Sequence, residues 1–578
     1  MYDLVIRGGE VHDGSGAPGR LADVAVADGR IVAVGLSLDG DGVEVVDATG
    51  KIVTPGFVDI HTHYDGQVFW DDLLEPTSAH GVTTALVGNC GVGFAPVANA
   101  AGRERLLDLM AGVEDIPRTT LATGIEWSWR TFTEYLDALE DRRLAIDVGT
   151  QVPHGAVRAL VRPNGDDGRP STAEEIEMMS TVVRDAIEAG AFSLTTSRTV
   201  GHVSIDGTPV PGTFATYDEL HALAVAVRAG GGRLLEVAGS GLAAPDDVTS
   251  ADTEVDFIGR LAESTGLPAT YILLQCHHAP ERWRHQAAQA AAWRARGADL
   301  VALIAGRPFT AIWGWDVRHP FLAKASYRAL ADRPLGERLE ELRRADVRAR
   351  ILAEPDEFRT VDEQKSVERV RRALPSSYPW IGEPDYEPTP AQAIGAVAAA
   401  CGVSLEAAAY DALTADGAML CNFVYNYADG DHAVLHEQLL DPTSVIGLND
   451  GGAHTALICD ATIPTYMLTH WVRDRVRGPR LALTEVVRRL TAQPAALYGL
   501  ADRGRIEPGL RADLNVIDVE RLHLGVPRAV HDLPAGGVRM LQDSGGYCLT
   551  TVAGVVTRRN GVDTGARPGR LLRRSSRA

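Results

Sequence analysis

Two histidines one residue apart, His61 and His63, close the apolar run Phe57-Val58-Asp59-Ile60, which itself follows Pro55-Gly56. The run reads as a buried strand. Side chains on a strand alternate between faces, so Asp59, His61 and His63 point one way while Val58, Ile60 and Thr62 point the other. Two imidazoles on one side of a strand end can hold one divalent metal without backbone distortion. An isolated pair of this kind is usually a core or solvated pair, so its weight depends on what else reaches the same place. Three further groups are candidates: Cys90 in Gly88-Asn89-Cys90-Gly91, His154 in Val152-Pro153-His154-Gly155, and Asp450 in Gly447-Leu448-Asn449-Asp450-Gly451. Each also has a structural alternative. A free cysteine is commonly a small buried hydrophobe, an aspartate before two glycines can cap a turn, and His154 can simply orient a loop.

The elements that must position these residues alternate between strand-like and helix-like segments, which argues for parallel βα units. Candidate strands lie at 57–61, 82–89, 145–152, 191–196, 233–238, 269–274, 299–305 and 445–450. Eight is the number a (β/α)8 TIM barrel requires, and reacting groups in such barrels gather at the C-terminal strand ends. His61 and His63 close strand one, Cys90 closes strand two, His154 follows strand three and Asp450 closes strand eight. Ser171-Thr172-Ala173-Glu174-Glu175 has the form of a capping box, with Ile176, Met179, Val183 and Ile187 at helical spacing behind it. A second helix begins at Thr216. The interval 306–444 is longer than a barrel connection needs. It is expected to hold helices at 338–352 and 367–374, then a proline-punctuated loop from Pro375 to Pro390, and to form a partial lid. Short strands and glycine turns fill residues 1–55, with a matching β-rich piece after residue 501. Together they imply a small β-sandwich built from both termini, on either side in sequence of a barrel over 56–500. The basic tail Arg567–Arg577 is expected to be frayed or surface-bound.

Several of these segments together resemble one family. Thr54-Pro55-Gly56-Phe57-Val58-Asp59-Ile60-His61-Thr62-His63 is similar to the first barrel strand of the amidohydrolase superfamily. Val87-Gly88-Asn89-Cys90-Gly91-Val92-Gly93-Phe94-Ala95-Pro96 resembles the cysteine segment of its N-acyl-D-amino-acid deacylase, or D-aminoacylase, branch. Val152-Pro153-His154-Gly155, Gly447-Leu448-Asn449-Asp450-Gly451 and Gly504-Arg505-Ile506-Glu507-Pro508-Gly509 extend the likeness in order along the chain. The resemblance implies a zinc-dependent hydrolase of a linear amide, with N-acyl-D-amino acids the leading substrate class. Another amide, a cyclic imide or a carbamate, or a barrel that only binds, remain alternatives. Zinc would polarise the carbonyl and lower the pKa of a bound water towards about 7. Asp450 would accept that proton and deliver it to the leaving nitrogen, and His154 would assist the oxyanion. Deacylases of this branch carry ligand histidines at the ends of strands five and six. Here strand five reads Arg233-Leu234-Leu235-Glu236-Val237, with Glu236 one residue from that place, and strand six leads late into His277 and His278. The metal ligands to be tested are therefore His61, His63, Cys90, Asp450, Glu236 and His277, with one Zn2+ firmly held and a second site open. Arg198, His202 and Arg307, at the same rim, are candidates for holding the substrate. Trp313 and Trp315 could line the mouth or pack. Asp65, His80, His454, Cys459 and His470 are weaker candidates.

Composition narrows the partners. The 578-residue chain is 45% hydrophobic and 23% charged, as a globular protein is, with a net charge of −21 that argues against a nucleic-acid surface. A small-molecule N-acyl substrate fits better. No stretch approaches the roughly 18 apolar residues of a membrane span. No basic segment followed by a long apolar core opens the chain, and the six cysteines are scattered. The expectation is a cytoplasmic protein with no membrane partner; self-association into a homo-oligomer is left open.

Overall fold

A computed structural model of the chain describes residues 1–40, 42–163, 169–241, 248–415 and 418–574, the side chains of 248–252 excepted. Eight strands lie at or within the segments expected from sequence or a residue beyond them: β1 (Phe57–Asp59), β2 (Val82–Val87), β3 (Asp147–Thr150, resuming as Val152–Pro153), β4 (Leu194–Ser197), β5 (Leu235–Ala238), β6 (Ala269–Ile272), β7 (Leu300–Ile304) and β8 (Ser444–Ile446). Each pairs in parallel with the next in chain order. Gln151 interrupts β3, so its first half serves β2 and its second half serves β4. Just beyond β8 and β1 the chain bonds back on itself. The Asp450 N–H donates to His61 O at 3.1 Å and the His63 N–H to Gly451 O at 2.7 Å.

Helices cover the parallel strands for the reasons the sequence suggests. Helix Ala173–Glu188 starts at Thr172, whose hydroxyl and the Glu175 carboxylate form a reciprocal capping box, and it buries Met179, Val183, Ala186 and Ile187. Each of the larger of these contributes about 1.5–3 kcal/mol by leaving water. Helix Tyr217–Ala229 begins at the Thr216 cap and buries Leu220, Leu223 and Val227.

The two ends of the chain meet in one nine-stranded sheet. Strand Ile52–Pro55 pairs antiparallel with Leu514–Ile517 and splices them together. This differs from a sandwich of two separately bonded sheets. Strand twist rolls the single sheet until the Ile31 N–H reaches Leu510 O and the Ala512 N–H reaches Gly29 O, both at 2.9 Å. Leu4, Ile6, Val24, Val53, Leu514 and Val516 fill the core so enclosed.

The basic tail is bound rather than frayed as far as Arg574; residues 575–578, and with them Arg577, lie outside the described residues. Leu571 and Leu572 add a parallel strand to the first half of β3, in the place that β4 leaves open because it pairs only with the second half. Arg567 holds Asp72 and Asp563, while Arg573 holds Asp137 and Glu140. The tail thus leaves the terminal sheet and joins the parallel one.

Between β7 and β8 the insertion has a core of its own, with Trp313, Trp315, Phe321, Tyr410 and Leu420 buried together. Its helices include Leu335–Leu342, Ala345–Ala353 and Val361–Ala373. The segment expected as a loop after Pro375 contains a strand, Ser377–Trp380, paired with Met419–Phe423, which also pairs with Thr310–Trp313. Alternating prolines hid it: Pro379 sits where its missing N–H is tolerated, on the outer strand of a three-stranded sheet. No single helix among the described residues is long and apolar enough to cross a membrane.

Candidate metal centre

His61, His63 and Cys90 come together at the C-terminal ends of β1 and β2, their ligand atoms all within 4.8 Å of one another. His61 Nε2 lies 3.4 Å from Cys90 Sγ. Asp450, just past β8, places Oδ1 3.5 Å from His61 Nε2 and 3.9 Å from His63 Nε2. Backbone explains how residues from distant parts of the chain converge. Cys90 and Asp450 occupy the left-handed region, at φ 54° and 50°, as does His454 at 46°. That conformation turns each strand end sharply inward and is uncommon outside glycine, asparagine and aspartate; where the surrounding structure holds it, it clusters at functional sites. Gly88 and Gly91 flank Cys90 because a Cβ on either would fall within 3 Å of backbone, of Gln151 and of Ser197 respectively.

Two carboxylates complete the surroundings. Glu236, the second residue of β5, approaches His61 at Nδ1, 3.4 Å away, the ring nitrogen opposite the one that faces Cys90 and Asp450. It therefore stands behind a candidate ligand, on the side away from Cys90 and Asp450, beyond hydrogen-bond reach. Glu114 was not anticipated from sequence. It follows helix Ala100–Val113 and sets Oε2 3.4 Å from His63 Nε2. Its only sequence signal is a carboxylate that turns out buried between Val113 and Ile116, on a connection and not at a strand end.

The electrostatics of the cluster are unbalanced. Burial raises the Glu236 carboxyl to about 7, and burial together with neighbouring carboxylates pushes Glu114 and Asp450 well up. Burial pushes His61 down to about 3 and His63 well below its ordinary value. The Cys90 thiol is pushed up by burial and by the charges of Glu114, Glu236 and Asp450. His61 Nδ1, His63 Nδ1, Glu114 Oε1 and Glu236 Oε1 are buried without a hydrogen-bond partner. Among the described residues no lysine or arginine makes an ion pair with these acids. A dication held by two imidazoles, a thiolate and a carboxylate fits both the donor set and the charge deficit.

The other expected site residues are placed variously. His202 joins the cluster's surroundings, its Nδ1 2.9 Å from Ser197 Oγ at the end of β4. Burial and the charge of His454 hold His202 at about 4, and His202's charge in turn opposes protonation of His61. His454 faces the same group and stacks edge-on against Phe309. Asp65 is also near, raised to about 7 by burial. His154 lies apart from the histidine–cysteine group, its Nδ1 2.9 Å from Thr196 Oγ1 and its Nε2 3.0 Å from Glu219 Oε1, in a buried arrangement that includes Arg158. Arg198 donates to Glu254 at 2.6 Å and to Ala215 O, and covers the Phe257 ring. Arg307 is buried beside Asp460, donates to Thr462 and lies over Tyr386 and Tyr466. Arg198 is thus engaged within the protein, while Arg307 Nε and Nη2 are buried without a hydrogen-bond partner. His277 sits with Nε2 2.8 Å from Phe423 O, turned to the insertion and outside the histidine–cysteine group. Trp313 and Trp315 pack inside the insertion, Cys459 lies in an adjoining core, and His80 Nδ1 is 2.8 Å from Thr465 Oγ1.

A clasp also ties the insertion to this region. Arg318 donates twice to Asp115, the residue after Glu114, at 2.5 Å.

Comparison with known proteins gives this arrangement a family. The amidohydrolase family model matches residues 44–558. The chain belongs to that family, in its D-aminoacylase-like branch. It is 36% identical over 195 residues to the D-aminoacylase of Alcaligenes xylosoxydans xylosoxydans, a match covering 34% of this chain and 37% of that protein. The chain therefore spans little more than a third of that relative's length. Against the N-acyl-D-glutamate deacylase of the same organism it is 28% identical over 99% of this chain and 97% of the relative. The solved N-acyl-D-glutamate deacylase of Bordetella bronchiseptica, complexed with zinc and a phosphonate that mimics the tetrahedral intermediate, superposes with a TM-score of 0.63 at 25% identity. That superposition covers 99% of this chain and all of the other.

Proposed function

We propose that the chain is a metal-dependent amidohydrolase that deacylates N-acyl-D-amino acids, yielding a carboxylate and a free amino acid. The convergence of His61, His63, Cys90 and Asp450, from three separate strand ends, carries this reading. The full-length likeness to a deacylase supplies the substrate class. His61, His63 and Cys90 would hold one Zn2+, with Asp450 beside it; when bound, the ion polarises the amide carbonyl and makes a water nucleophilic near neutral pH. The rest belongs to the chain. Asp450 accepts the proton released as water adds to the carbonyl and passes it to the departing nitrogen, which needs it because an amide anion is a poor leaving group. Glu236 sets negative charge 3.4 Å behind His61 at Nδ1, and Glu114 sets its carboxylate 3.4 Å from His63 Nε2, on the side that faces the ion. His202 and His454 present neutral imidazoles to the same space and can position the substrate's amide or carboxylate.

The fold proposed for this chemistry is a closed (β/α)8 barrel over 56–500, flanked by the rolled terminal sheet drawn from 1–55 and from the chain after 501 as far as Asp563. The eight-strand parallel order and the bonds from β8 back to β1 support it. The Arg318–Asp115 clasp supports the insertion as a partial cover over the cleft. Six free cysteines, four of them buried, support a reducing cytoplasm.

Amine release from paired N-acyl-D- and N-acyl-L-amino acids, with ZnCl2 supplied, tests the assignment. Turnover of the D series, abolished by a chelator and restored by zinc, is expected. No turnover of any amide with zinc present would overturn it.

A further inference from the structure

A second cluster of metal-ligating side chains lies away from the cleft, where the insertion packs against the segment after β8. It contains Glu387, His432 and His470, all buried. Glu387 comes from the connection after strand Ser377–Trp380, and His432 precedes helix Ala433–Leu440. His470 comes from the π-helix Met467–Asp474. A π-helix is a rare form that is found mostly at functional positions, because its wider turn re-aims the side chains it carries.

His432 Nδ1 and His470 Nε2 face each other at 3.1 Å, and Glu387 Oε2 lies 3.8 Å and 3.6 Å from them. A hydrogen bond between the rings accounts for the first distance. It leaves the other two unexplained, because a carboxylate oxygen at 3.6–3.8 Å is beyond hydrogen-bond reach of either ring yet nearly equidistant from both. Around a tetrahedral zinc with bonds of ~2.0–2.1 Å, neighbouring ligand atoms stand ~3.4 Å apart. The three edges observed here scatter about that value. The Tyr466 hydroxyl is a further 3.4 Å from His432 Nδ1.

The carboxylate is held in place. Arg475 donates to Glu387 Oε2 at 3.1 Å and to Oε1 at 3.0 Å, and the His432 N–H donates to Oε1 at 2.9 Å. Such outer hydrogen bonds orient ligating carboxylates, although the positive charge of Arg475 also lowers the affinity for a cation. A surface cavity lined by Tyr386, Glu387, His470 and Arg475 gives an entry path.

We infer that Glu387, His432 and His470 form a second zinc-class site, distinct from the one at His61 and Cys90, that pins the insertion to the segment after β8. Two imidazoles and one carboxylate are a set that suits Zn2+ among the divalent ions. This inference is independent of the deacylase assignment.

Wild-type crystals soaked in ZnCl2, with diffraction measured on both sides of the zinc absorption edge, test it directly. An anomalous peak within about 2.2 Å of Glu387 Oε2, His432 Nδ1 and His470 Nε2 is expected. A peak at His61 and Cys90 with none here would overturn it. In solution, His470→Ala should bind one zinc equivalent fewer than wild type in equilibrium dialysis, with an unchanged circular-dichroism spectrum; equal binding by the folded variant refutes the site. Should that variant fail to fold, the crystal measurement on the wild-type protein decides.

Discussion

Replacing Asp450 by Asn isolates the proton-transfer step from the rest of the centre. Asn is nearly isosteric and is among the few residues that tolerate the left-handed backbone found here at φ 50°, so the local turn should survive. The carboxylate it replaces lies 3.5 Å from His61 Nε2 and 3.9 Å from His63 Nε2. It is close enough to serve a water between the two rings, while three other protein groups still surround a metal. Burial and the charges of Asp460, Asp59 and Glu236 already disfavour its ionised form, so removing that charge should leave the melting temperature equal or higher. A positioned acid–base group contributes about 10²–10⁴-fold to rate, or about 3–5 kcal/mol of barrier. The variant should therefore lose at least about a hundredfold in kcat, read by amine release at saturating substrate, while keeping its zinc by elemental analysis. A folded, zinc-loaded Asp450→Asn protein with kcat within tenfold of wild type would refute the role.

Three further outcomes are expected. Glu114→Gln should weaken zinc binding by about 10–100-fold, the usual effect of losing a group that supports a metal-bound histidine; chelator competition reads it, and unchanged affinity would show that Glu114 only fills space. Truncation before Arg567 removes buried Leu571 and Leu572 from β3 and should lower unfolding free energy by about 3–6 kcal/mol in urea titration, a loss under 1 kcal/mol refuting the strand's contribution. Glu219 is held at about 2 although burial alone would raise it, because the hydrogen bonds and charges of His154 and Arg158 outweigh burial. A depressed carboxyl stabilises the fold above its unfolded pKa, so the stability gap between wild type and Glu219→Gln should be full above about pH 4.5 and close as pH falls towards 2. A gap independent of pH would exclude this linkage.

What the sequence made legible follows from periodicity and from residue chemistry at strand ends. A strand's alternation aims His61 and His63 to one side whatever surrounds them, and the capping box at Thr172 is local, so both could be read without a fold. The parallel strands announced themselves as apolar runs between capped helices. Other features depend on partners far away in the chain. His154 has the same residue type and strand-end position as a catalytic histidine, and nothing local shows its meeting with Thr196 and Glu219. Arg198 carries no local sign that Glu254 will be found beside it. Glu114 lies on a connection after a helix, with no periodicity to single it out. The strand at Ser377–Trp380 and the tail strand at Leu571–Leu572 exist because edges elsewhere in the molecule need covering, which a local pattern cannot express.

Glu236 shows how charge can be redistributed around such a centre. In a site built from histidines and one cysteine, each imidazole is neutral and the ion's charge is met mainly by the thiolate. Here a carboxylate stands behind His61, another touches His63, and Asp450 touches both. Without a cation these groups are mutually unfavourable, which is why burial and repulsion drive the acids towards protonation and the imidazoles towards neutrality. A dication reverses the balance, because each ionised carboxylate then stabilises the ion or the ring that binds it. The left-handed backbone at Cys90, Asp450 and His454 adds strain of order 1–3 kcal/mol each at the same place. Local strain and buried like charge oppose folding, so their concentration at these strand ends is the physical mark of a site shaped for an ion and a reacting amide.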